Sequence, residues 1–157
     1  MRVSAMQDIE GINARHRRIA AAELARVHER WFAAHEALYS QTTADLIRTG
    51  TAISDADLET DRAGRLGLRL ELDALLDRSG ADFWVSPAAP GPAPEGLSAT
   101  GSPIMNLPWT HAGVPTLALP AGLSGDGLPL GLQLSARFGE DEELLALGTV
   151  LQPFLGA

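Results

Sequence analysis

Between Asp8 and Ser40, apolar residues return mostly at steps of three, four and seven: Ile12, Ile19, Leu24, Val27, Trp31 and Leu38. This is the period of a helix that turns one apolar face inward, and it predicts one long helix or two in line. Thr42 to Arg48 predicts another short helix, closed by Gly50. In "ISDADLETDR", Ser54 stands where an N-cap hydroxyl belongs, and Asp55, Asp57 and Glu59 suit the positive end of a helix dipole. The next stretch, "RLGLRLELDALLD", carries two periods at once. Leu66, Leu68, Leu70 and Leu72 alternate as in a strand, whereas Leu68, Leu72, Leu75 and Leu76 line one face of a helix. The acid-rich start and the Ser79-Gly80 stop favour the helix.

From Asp82 the pattern changes. "DFWVSP" predicts a short buried strand ended by Pro87, and "AAPGPAPEG" an extended loop, because its prolines lack backbone donors and resist helix. Ser102 to Ala112 predicts a helix with Ser102 as cap and Pro103 in the first turn. "VPTLALP" and "LPLGLQLSA" predict two strands joined by the turn-rich "AGLSGDG", followed by a final helix from about Glu140 to Leu151. All ten prolines fall at or after Pro87. The expected fold class is therefore α/β: a helical segment over 1–80, then strands, shaped loops and a final helix over 81–157, in one domain.

Composition narrows the class of protein. With 45% hydrophobic and 20% charged residues, the chain is expected to be soluble and globular. It has no cysteine, which excludes disulfides and thiolate metal sites. The longest apolar stretch, Ala112 to Leu123, is broken by Pro115 and Pro120, so no membrane association is expected and the cytoplasm is the expected location. A net charge of −8 argues against nucleic acid as a partner, since phosphate binding needs a basic surface. It favours a cationic or neutral partner instead. All twelve cations are arginine; there is no lysine.

Several motifs invite chemistry. "HERWF" and "HEALY" begin like a zinc-protease helix, but the second histidine needed four residues on is replaced by Phe32 and Tyr39. His28 and His35 lie two turns apart, about 10 Å, too far for one ion, so no metal is expected. The four acids Glu140 to Glu143 read as a solvated helix start rather than paired catalytic carboxylates. Ser98, Ser102, His111 and Asp82 supply the residue types of a serine triad, yet no Gly-x-Ser-x-Gly elbow surrounds any serine. "GLSGDG" lacks the Gly-Lys-Ser/Thr ending of a phosphate loop. Asn106, Trp109, Thr110 and His111 lie between a predicted helix and a predicted strand, where α/β sheets often bind ligands. Trp109 is either a pocket wall or a core residue, with Asn106 and Thr110 then serving a turn.

Three segments resemble the last third of amidase signature hydrolases: "DFWVSPAAPGPAP", "TGSPIMNLPWTHAGVPTLALPAG" and "GLPLGLQLSARFGEDEELLALG". The family includes the A subunit of tRNA-dependent amidotransferases. The resemblance runs from about Trp31 to Leu155, most specifically in Asn-x-Pro-Trp-Thr…Gly-Val-Pro and Gly-Leu-Pro-x-Gly-x-Gln. It implies part of a mixed sheet covered by helices, and hydrolysis of the C–N bond of a small-molecule amide without a cofactor. It also implies a catalytic set of two serines and a lysine whose neutral amine takes the serine proton. Gly-Gly, Ser-Ser and lysine are all absent here, so no catalytic residue carries over. By resemblance, Asn106, Trp109 and Thr110 approach the substrate side of the sheet. The expectation is a carboxyl-terminal portion of an amidase, inactive alone, whose uncovered sheet edge is open to self-association. The alternative is a stand-alone, non-enzymatic module that binds a ligand or partner.

Overall fold

The computed structural model describes residues 5–155. Helix α1 (Ile9–His35) begins where the Asp8 carboxylate accepts the Gly11 N–H at 3.2 Å. Its buried stripe starts at Ile12 and Ile19, as the period predicts, then moves to Ala21, Ala22 and Ala25. Val27, Trp31 and Leu38 face solvent instead. The reason is α2 (Gln41–Thr51), which crosses α1 on its alanine face at close range. Gly50 is what permits that approach. A Cβ there would fall onto the Ala21 carbonyl, so this glycine sits buried inside α2 and does not close it.

Helix α3 (Asp55–Ser79) settles the double period in favour of helix. Ser54 Oγ accepts the Asp57 N–H at 3.1 Å, and Gly80, at φ 66°, makes the left-handed C-cap. Leu68, Leu72, Leu75 and Leu76 are buried; Leu66 and Leu70 are exposed. Asp61, 3% exposed, crosses to α1 and accepts two hydrogen bonds from the Arg18 guanidinium, one at 2.8 Å.

The sheet has three antiparallel strands: β1 (Trp84–Pro87), β2 (Thr116–Leu123) and β3 (Pro129–Ser135), in the order β1-β3-β2. Pairings Val85↔Leu134 and Leu117↔Leu134 put these three on one face, and Ser86, Gln133 and Ala118 on the other. The apolar face is covered by α5 (Asp141–Leu151) through Leu144 and Leu147. β1 is not the buried strand its sequence predicts. It forms an edge, and Val85 is 55% exposed.

The segment Ser102 to Ala112 is also not one helix. A 3-10 turn (Pro103–Met105) is followed by a separate α4 (Leu107–Ala112). Pro108 has no N–H to donate to the Ile104 carbonyl, so a helix begun at Pro103 stops and a second begins around Pro108.

Candidate functional site

Helix α4 is the element on which the candidate residues sit, and it is held by two helices. It packs against both α1 and α3. Arg65 and Arg69 of α3 donate from Nε to the carbonyls of His111 (3.1 Å) and Ala112 (2.9 Å), which the end of a helix leaves without internal donors. The Arg69 guanidinium also lies 3.8 Å from the centre of the Phe138 ring, just beyond β3. Gly113, at φ 70°, turns the chain from α4 into β2.

Within α4 the predicted residues separate. Asn106 and Thr110 are exposed, and the Asn106 carbonyl accepts both the Thr110 N–H and the Thr110 hydroxyl, each at 3.0 Å. Trp109 points the other way. It is 7% exposed, packed with Ile12, Leu68, Leu72 and Ala112 and tilted against Trp84 at 6.1 Å. The structure thus brings Asn106 and Thr110 together on the outer side and sets Trp109 beneath them in the core.

His111 is fully buried. Burial, with Arg15, His16 and Arg65 nearby, lowers its pKa to about 4, so the ring is neutral at neutral pH. The triad suggested by residue types is not assembled. Ser98 and Ser102 lie on the exposed loop, Ser102 accepting the Ile104 N–H, while Asp82 lies beside Phe83 and Arg137. The four acids serve α5: Glu140 is its N-cap residue and accepts the Arg137 N–H at 3.2 Å, with Asp141, Glu142 and Glu143 in the first turn. His28 bonds the Tyr39 hydroxyl at 2.8 Å, and among the described residues no cluster of histidines and acids could hold a metal.

One residue stood in the sequence only as the last position of Gly-Leu-Pro-x-Gly-x-Gln, with no role attached. Gln133, in the middle of the central strand and 3% exposed, donates to the Met105 carbonyl (3.2 Å) and contacts the Ser86 hydroxyl (3.4 Å). It ties the approach to α4 onto the sheet. Its signal is visible in "LPLGLQLS": a lone amide in an otherwise apolar strand. Beside it, an open groove of about 1000 Å³ runs between β1, the proline-rich loop and the β2–β3 turn, past Val85, Ser86, Pro87, Thr100, Ser102 and Leu130. Among the described residues, no charged side chain lines it.

The family model described as Amidase matches residues 3–145, and the chain belongs to the amidase family. It is 41% identical over 85 residues to the A subunit of the glutamyl-tRNA(Gln) amidotransferase of Xanthobacter autotrophicus, covering 49% of this chain and 17% of that protein. With its counterpart from Gluconobacter oxydans it shares 32% identity over 98 residues, 58% of this chain and 20% of the relative. Among solved structures, an amidase superposes with a TM-score of 0.84 at 34% identity, over 94% of this chain and 36% of that one. A 6-aminohexanoate cyclic dimer hydrolase complexed with substrate superposes at 0.78 with 17% identity, which establishes the shared fold. The chain thus spans about a third of these two solved structures and about a fifth or less of these two curated relatives. No helix among the described residues is long and apolar enough to cross a membrane.

Proposed function

We propose that this chain is the carboxyl-terminal portion of an amidase acting on a small-molecule amide, forming a single partial domain that supplies sheet strands and part of the substrate wall. One observation carries the reading. The family match spans residues 3–145, yet the sequence holds no lysine and no paired serine. In the whole enzyme a serine oxygen would attack the amide carbonyl, the amine would leave, and water would release the acid. Here Asn106 and Thr110 would face the amide, with Trp109 holding α4 from beneath. The uncharged groove, whose lining does not include Asn106, Trp109 or Thr110, supports a substrate with a neutral part beside β1 and the proline-rich loop. The rival reading, a stand-alone binding module, draws on the buried cluster of Ile12, Leu68, Leu72, Trp109 and Ala112, which joins the helical segment to α4 within this chain.

The 157-residue chain should show neither fluorophosphonate labelling nor amide turnover. Labelling of a serine together with turnover overturns the reading. A chimera with residues 9–151 in place of the matched segment of the 34%-identical amidase should keep turnover. In it, Asn106→Ala or Thr110→Ala should raise KM by roughly threefold to tenfold, the loss of one hydrogen bond. A folded but inactive chimera would favour the binding module.

A further inference from the structure

His111 is the least accessible ionisable side chain in the described protein, and its surroundings are cationic. It is enclosed with no exposed surface, on a helix of six residues seated against α1 and α3. From α1, Arg15 and His16 act on it; the His16 ring stands edge-on, 6.1 Å away at 88°. From α3, Arg65 acts on it and also donates to its own carbonyl. The one opposing group is the Asp61 carboxylate, and it is already engaged by the Arg18 guanidinium. His16 too is held toward its neutral form, first by burial and then by Arg65 and Arg17, against the pull of Glu23. A proton on the His111 ring would therefore place an uncompensated charge among arginines inside the core.

We propose that His111 is an acid-sensitive latch: protonation of its ring releases α4 from between α1 and α3 and withdraws Asn106 and Thr110 from the outer face they share. The consequence for substrate rests on the reading of α4 as part of the substrate wall. The latch does not, because it concerns where α4 sits.

The sign follows from linkage. Above the ordinary histidine value of 6.5 the ring is neutral whether α4 is seated or lifted, and pH leaves the equilibrium alone. As pH falls from there toward about 4, the lifted state binds a proton that the seated state refuses, so lifting gains. Below about 4 both states carry the proton and the gain levels off. At pH 5 the lifting equilibrium should exceed its value at pH 7 by about twentyfold.

Amide hydrogen exchange on the full chain, corrected for the intrinsic pH dependence of exchange, reads this directly. Protection over residues 105–115 should drop by about that factor between pH 7 and 5, and His111→Leu, which has no proton to take, should abolish the excess. An unchanged pH response in His111→Leu overturns the latch. Should that variant fail to fold, NMR of wild-type protein carrying labelled histidine decides. A His111 ring still neutral at pH 5 with α4 protected supports the latch, and one that titrates near 6.5 with α4 protected overturns it. Neither result bears on whether the chain belongs to a working amidase, which the labelling and chimera experiments test separately.

Discussion

In the helical half, α1 is flanked by α2 along its alanine face and by α3 along its isoleucines, and Asp61, a charge buried between them, has its guanidinium. In the sheet half, α5 covers one face of three strands, while β1 and β2 each have only β3 as a neighbour among the described residues. The first half buries itself by backbone proximity. The second buries one face with flexible leucines and leaves Val85 and Leu123 exposed along its edges. Close backbone contact tolerates little change, whereas leucine layers can adjust. Two glycines at helix contacts therefore test the contrast.

Gly50→Val should be the most damaging change, lowering stability in urea unfolding by about 3 kcal/mol or more, because the Ala21 carbonyl it would strike is backbone and cannot rotate away. A loss under about 1 kcal/mol would mean that α1 and α2 can slide apart cheaply, and the contrast between the halves would collapse. Asp61→Asn keeps the shape but removes the charge facing Arg18. Since that arginine is about half exposed (47%) and can rehydrate, the loss should be smaller, about 1–2 kcal/mol by the same measurement. Gly148→Ala should cost least, below about 1 kcal/mol, although its Cβ would also meet an occupied position. What it meets is the tip of the Leu117 side chain, which can turn aside. A cost equal to that of Gly50→Val would show the sheet half to be as rigidly packed as the helical half.

Much of this was legible in local chemistry. Ser54 and Gly80 delimit α3 because a cap hydroxyl and a left-handed glycine act within a few residues of themselves. The prolines placed the extended loop for the same reason. What could not be read depends on distant partners. Nothing near Val27 or Trp31 says that α2 will take the alanine face and leave them in solvent. Gly50 looks like a helix stop until Ala21, 29 residues earlier, arrives against it. The candidate site divides in the same way. Asn106 and Thr110 were visible as polar residues beside a strand, but the inward turn of Trp109 is set by Ile12 and Leu68. His111 stood in the sequence among the candidate ligand-site and triad residues, and only the packing of α4 between two helices makes it neutral and enclosed.

The strand order has a consequence for how the chain is made. β3, the middle strand, is synthesised after both of its neighbours. Trp84 must wait for Ser135, and Thr116 for the same residue, before either edge has a partner. When the ribosome has just released β2, the helices of the first 80 residues can already be packed, while two unpaired strands remain adhesive to any other nascent chain. The interval closes when "LPLGLQLSA" emerges and zips both sides at once. Until then, the hazard of misassembly lies in the order of synthesis and not in the finished fold.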